Sequence, residues 1–238
     1  MSLAITAEYP YVFPPVWFFQ KAALADHLIL ADTFHFPKRD KINRYRVLGF
    51  VGCVALVVPV RRAQRTGAIR DVELAADEDW PDRHWKTLSN IYKAAPFFDY
   101  YADELFNLLH GNWRSLLRLA ERTIDWSLNK LGLNVEWLRL SELAPGRSGD
   151  EALLAAAKKL GADTYVLLDG QKDVRNEGEF HEAGVHVEAV AVEELQYHRL
   201  SQAHCPSVSV LDLLVNEGPE AGTRLRQNVS AARNLRGP

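Results

Sequence analysis

Leu3-Ala4-Ile5-Thr6-Ala7-Glu8, a loop over Tyr9–Pro15, Val16-Trp17-Phe18-Phe19-Gln20-Lys21-Ala22-Ala23-Leu24-Ala25, then His27-Leu28-Ile29-Leu30-Ala31 is the stretch that decides the fold. The first and last pieces read as buried strands. The middle piece reads as a helix with Pro15 at or near its first turn, where a missing N–H costs little. Strand, helix and strand within about thirty residues make a βαβ unit, whose strands run parallel through a right-handed crossover.

Working outward, Val47–Gly52, Val54–Val60 and Ile69–Ala75 read as further strands. A helical region follows: His84–Ala95, Phe97–Leu109 after Pro96, and Trp113–Leu131, whose apolar residues fall at helical spacing with Gly132 as the C-cap. Alternation resumes with strand Val135–Leu140, helix Gly149–Leu160, strand Thr164–Leu168, helix Glu177–Ala183, strand Val185–Val192 and helix Ser207–Asn216, capped by Ser207 or Ser209. The expectation is an α/β fold: a Rossmann-like, mostly parallel sheet with a helical insert. Residues 1–218 form a single α/β domain, with sheet segments 1–75 and 133–216 and an insert at 82–131. Residues 219–238, dominated by Gly, Pro, Asn and Arg, read as a flexible tail. Ligands are expected where the insert leans over the carboxyl edge of the sheet.

The 238 residues are 47% apolar and 25% charged, which suits a core that needs no staple. The two cysteines, Cys53 and Cys205, have no local partner and read as buried or idle thiols of a reducing compartment. No apolar run is long enough to span a bilayer, so a cytoplasmic protein with no membrane span is expected. A net charge of −3 gives no support for nucleic-acid binding. There is no P-loop, no G-x-G-x-x-G after the first strand and no G-x-S-x-G elbow. The pairs His181/His186 and His198/His204 lack metal-ligand spacing, and no C-x-x-C occurs, so no metal site is expected.

Three clusters carry candidate chemistry. Phe36–Arg46 holds five basic residues and one acid in eleven positions, just past a strand's carboxyl end. Its Lys38, Arg39 and Arg44 are candidate anion-binding side chains, with Asn43 a hydrogen-bond donor. Glu8–Phe19 packs six aromatics and three prolines into twelve residues. Tyr9, Tyr11 and Trp17 would line a flat-faced pocket with Glu8 at its base, and a buried carboxylate there needs a cation such as Arg39 or Arg44. Rigid core packing is the plainer reading, above all for Phe18 and Phe19. The third cluster, Arg83-His84-Trp85-Lys86 with Asn90 and Tyr92, offers His84 as a base facing the same cleft as Asn43 and Arg44; the plain alternative is a histidine packed under Trp80.

These clusters in this order resemble the WbqC-like family. Its pattern opens with Q-P-x-Y-L-P-W-x-G-Y-F and continues through L-D-D-V-Q-F-x-K-R-x-x-x-N-R-x-R, a V-P-V strand and H-x-K-T-I-x-x-x-Y-x-x-A-P-Y-F to L-S-x-x-D-L-L-F-N-x-G. Tyr11–Phe19, Ala31–Arg46, Val58-Pro59-Val60, His84–Phe98 and Val208–Gly218 read onto it. Glu8 stands where the family has Gln, Thr33 replaces the second Asp of an acidic pair, leaving Asp32, and His35 replaces a Gln. The small-residue turn of the family is Tyr165–Gln171 here, which puts a shared substrate in question.

The resemblance implies transfer of an acyl or aminoacyl group to an amine, such as an amino sugar, in polysaccharide or natural-product biosynthesis. The donor would be a phosphopantetheine thioester on an acyl or peptidyl carrier protein, or a coenzyme A thioester, with no covalently bound cofactor. On that reading His84, His35 and Asp32 are the catalytic candidates. Glu8, Tyr11, Trp17, Lys38, Arg39, Asn43, Arg44, Lys86 and Tyr92 are the substrate-binding ones. Two rivals stand beside it. One is an adenylyl- or nucleotidyl-transferase-like enzyme, against which the missing H-x-G-H and K-M-S-K-S signatures count. The other is a non-catalytic binding protein of a biosynthetic complex.

Overall fold

The computed structural model describes residues 2–37, 42–61, 67–75, 79–171, 174, 176–201 and 203–234. The βαβ unit is present: β1 (Ala4–Glu8), α1 (Val16–Ala22) and β2 (His27–Leu30), with β1 and β2 parallel and Glu8 opposite Leu30. Three more parallel strands complete the main sheet: β5 (Glu136–Arg139), β6 (Thr164–Leu168) and β7 (His186–Val190), in the order β5-β2-β1-β6-β7. The chain builds outward from β1 to one edge, then returns to lay β6 on its other side. The order therefore reverses between β1 and β6, and the carboxyl ends of those strands mark the position at which such sheets hold ligands.

The pleat divides the sheet residues between two cores. Ile5, Ala7, Ile29, Tyr165 and Leu167 face α6 (Gly149–Leu160) and α7 (Glu177–Glu182). Leu28, Leu30 and Val166 face α1, α4 (Leu116–Leu131), α8 (Val210–Glu217) and α9 (Ala221–Asn234). With period two, Glu8 falls on the α1 side. The insert comprises α2 (Trp80–Tyr92), α3 (Phe98–Leu109) and α4. Ser115 caps α4 at its start, and Gly132 closes it at φ 58°, a conformation glycine adopts without strain.

Four expectations are corrected. Residues 44–57 do not join the main sheet; they form a separate antiparallel hairpin, β3 (Arg44–Gly49) and β4 (Gly52–Val57), joined by the two-residue turn Phe50-Val51. Tyr45, Val47 and Leu56 of this hairpin still pack into the α1-side core. Ile69–Ala75 is not a strand: Ile69–Asp71 is a 3-10 turn, and only single bridges follow at Glu73 and Leu74. The flexible tail is a helix up to Asn234, because α9 has its own apolar stripe, Leu225, Val229 and Ala232, buried with Ala221. The two cysteines are not free thiols, although Cys205 is buried as one of the two readings had it. Cys53 and Cys205 form a disulfide across 152 residues, so their usage no longer argues for a reducing compartment. Among the described residues no helix is long and apolar enough to cross a membrane.

Candidate functional site

The carboxyl end of β1 carries a buried ion pair. Lys21 Nζ, on the face of α1 turned to the sheet, lies 3.1 Å from Glu8 Oε2 and donates to the Ala7 carbonyl at 2.8 Å. Lys21 is wholly buried and Glu8 is 8% exposed. Glu8 Oε1 also accepts from the Tyr9 N–H. Around this pair the chain turns through rings set edge to face: Tyr9 against Tyr11 and Phe34, and Tyr11 against Trp17 and Phe18. Tyr9, Tyr11 and Trp17 are thus in mutual contact, partly exposed and packed on the core. Arg39 and Lys38 lie outside the described residues. Among those described, Lys21 is the cation that meets Glu8.

The next two strands add charges along the same edge. Asp32, past the end of β2, is 1% exposed; its carboxylate accepts from the Ser141 N–H at 2.9 Å and the Ser141 hydroxyl at 2.6 Å. It therefore ties β2 to the turn after β5, α5 (Leu140–Leu143), rather than holding a base. Arg139, the last residue of β5, forks onto Glu121 of α4, which brings the insert to this edge. Thr123 of α4 accepts from the Phe13 N–H at 3.1 Å, and Ser209 donates to the Phe13 carbonyl at 3.0 Å. Phe13 sits at φ 44°, a left-handed conformation unfavourable for a bulky side chain. The loop that carries Tyr9 and Tyr11 is thus pinned in a strained form by α4 and by the cap of α8.

The remaining candidates go elsewhere. His84 is 4% exposed, and its Nδ1 pairs with the Tyr45 hydroxyl at 3.0 Å while the ring hydrogen-bonds the Val57 carbonyl. Burial, with a smaller push from Arg83, drives its pKa down to about 4 against the Val57 bond. The ring packs edge to face on Trp80. Arg44 and Arg46 alternate with Tyr45 and project from the other face of the hairpin, so the expectation that His84 and Arg44 share a cleft is corrected. Asn43 is spent locally, donating to the Val58 carbonyl at 2.6 Å. Arg44 is half-buried with its Nε unpaired. Lys86 is exposed on α2. Tyr92 donates to Asp212 at 2.8 Å and receives the Leu48 N–H, which places it inside the core rather than in the crevice. His35 is exposed, bridged to Ala68, next to the Phe34 that touches Tyr9.

Lys21 is not among the candidates that the sequence offers, although it is the one charge in the helix stretch Val16–Ala25. A second buried polar group also went unread. Asp212 in the first turn of α8 is 1% exposed and accepts from Tyr92 and from Tyr197 at 2.9 Å, with Arg199 3.9 Å away. Burial raises the Asp212 pKa against those three partners. Among the described residues no three His, Cys, Asp or Glu side chains are grouped to hold a metal ion.

The model of the WbqC-like protein family matches residues 9–224, beginning one residue after Glu8 and ending within α9. "Uncharacterized protein Rv1507c" of Mycobacterium tuberculosis (strain ATCC 25618 / H37Rv) is 30% identical over 216 residues, covering 88% of this chain and 91% of the relative. No solved structure gives a significant match.

Proposed function

The chain belongs to the WbqC-like protein family, and on that premise we propose that it is a biosynthetic transferase working at the carboxyl edge of its sheet. It moves an acyl or aminoacyl group from a carrier-protein or coenzyme A thioester to an amine. The observation that supports this is the Lys21–Glu8 pair at the strand-order reversal, beside a cluster of aromatic rings. A carboxylate held by a buried lysine is fixed in orientation, which suits it to receive an amine. In aminolysis the nitrogen attacks the thioester carbonyl, the C–N bond forms, the C–S bond breaks, and the amine proton must leave. With His84 enclosed, that proton goes to Glu8 or to the exposed His35. The basic segment, of which Arg44 and Arg46 are the described cations, supplies charge for the phosphates of the donor arm.

The test is turnover. Purified protein is mixed with coenzyme A and carrier-protein thioesters and with amine acceptors including amino sugars, and N-acylated product is read by mass. Product is expected with the native chain, and a fall of about 10²–10⁴ in Glu8→Ala or His35→Ala. No product with any pair would overturn the reading. A nucleotidyl-transferase reading keeps one point in its favour, since the reversal of strand order is where doubly wound sheets hold nucleotides. Calorimetric binding of a nucleoside triphosphate without thioester turnover would favour it.

A further inference from the structure

From β7 the chain runs to α8 without regular structure: residues 191–201 and 203–208 contain neither helix nor strand. This strap does considerable work for its irregularity. Tyr197 and Arg199 reach the buried Asp212, and the His198 N–H bonds Glu217. Ser201 donates to the Phe50 carbonyl at the hairpin tip, and Arg46 reaches the Pro206 carbonyl. Its end feeds Ser209, whose N–H bonds the Arg46 carbonyl and whose hydroxyl holds the strained Phe13. One covalent link fastens this segment to the hairpin, Cys53–Cys205. Cys205 is buried, but Cys53 lies on the outward face of β4 and is exposed.

We infer that the Cys53–Cys205 disulfide is a redox-controlled clasp: its reduction releases the strap and, through Ser209 and Phe13, loosens the loop that carries Tyr9 and Tyr11. A disulfide that has one half-cystine on the protein surface, as Cys53 is, admits attack by a thiolate from that side. A dithiol reductant supplies two electrons; its first thiolate opens the bond to a mixed disulfide, its second closes the reductant's own ring, and Cys53 and Cys205 each end as a protonated thiol. No strand ladder then holds residues 203–208 against the hairpin. The main sheet has no part in the link, so its protection is untouched. The inference is independent of the acyl-transfer reading, since it concerns movement and not chemistry.

Hydrogen exchange by mass spectrometry, on the native full chain with and without dithiothreitol, tests it. Peptides covering 193–201, 203–207 and 9–15 are expected to exchange about tenfold or more faster in the reduced protein, while β1, β2 and β6 do not change, and the effect reverses on reoxidation. A Cys53→Ala/Cys205→Ala variant should show the fast pattern in both conditions. Unchanged exchange on reduction, acceleration across the whole sheet, a faster strap with 9–15 unaffected, or a variant that still responds to the dithiol would each overturn the inference.

Discussion

Lys21 Nζ lies 3.1 Å from Glu8 Oε2, with Lys21 wholly buried and Glu8 reaching the surface by 8%, at the point where the strand order of the parallel sheet reverses. Breaking such a pair from one side strands a buried charge, whereas removing both charges leaves an ordinary polar or apolar contact. Lys21→Met is expected to cost about 3–5 kcal/mol of unfolding free energy. The double variant Lys21→Met/Glu8→Gln should recover a large part of that. Denaturant titration of the two single variants and the double gives the coupling directly. Additive losses would mean that the pair is not the unit described.

Tyr45 and His84 make a second enclosed pair, and its consequence appears in the pH dependence of stability. Burial holds the folded pKa of His84 at about 4, while the unfolded chain titrates near 6.5. Between those values the unfolded state binds a proton that the folded state refuses, so stability falls as pH falls through this window. The size is about 3 kcal/mol when the window is crossed completely. In His84→Gln the slope between pH 6.5 and 4 should shrink by that amount, as read from urea midpoints at several pH values. An unaltered slope would show that His84 does not titrate as its burial requires.

His110 carries the opposite sign. It closes α3 with Nδ1 on the Phe106 carbonyl and Nε2 3.0 Å from Asp82 in the first turn of α2. Burial works against the charged ring, but the Asp82 and Phe106 bonds outweigh it and raise the pKa; the same contact lowers that of Asp82. A raised histidine contributes stability that is fully present below about 6.5 and is lost as pH rises through the higher folded value. His110→Ala should therefore remove a decline above pH 6.5 and leave the acid-side decline from His84 intact. NMR titration of the His110 ring protons gives the same answer independently: a midpoint at or below 6.5 would contradict the contact.

What was legible in the sequence followed from local periodicity. The βαβ opening, the insert helices and the Gly132 cap depend on spacing along one segment, and the structure has them within a few residues. The hairpin at 44–57 was read as strands but not as a separate sheet, because pairing partners are a tertiary choice that an apolar run does not disclose. The site shows the same division. Glu8 was legible as a buried carboxylate, yet the described cation that meets it, Lys21, comes from α1, a helix whose lone charge drew no notice beside the conspicuous basic run. Lys21 sits among Phe18, Phe19 and Ala22, where one long side chain looks like a surface residue until the helix is docked. His84 looked reactive because its neighbours are charged, while Tyr45 and Val57, the groups that occupy its nitrogens, lie more than twenty-five positions away in the chain.

The end of the chain gives the sharpest separation between what composition implies and what packing does. Composition makes 219–238 a free tail, whereas the structure lays α9 against the end of α4, with Arg226 donating to the Leu131 and Gly132 carbonyls. Gly222 lies at that contact, and a Cβ there would run into the Leu131 carbonyl group, which is backbone and has no rotamer to yield. In a free tail Gly222→Ala would be neutral or slightly favourable, since alanine gains about 1 kcal/mol in a helix over glycine. Packed as described, the overfilled contact costs about 1–3 kcal/mol or more and disturbs the carbonyl that Arg226 binds. The two cases differ in sign. A melting temperature lowered by about 2–12 °C in Gly222→Ala is expected. An unchanged or raised value would return the segment to the role of a loose tail.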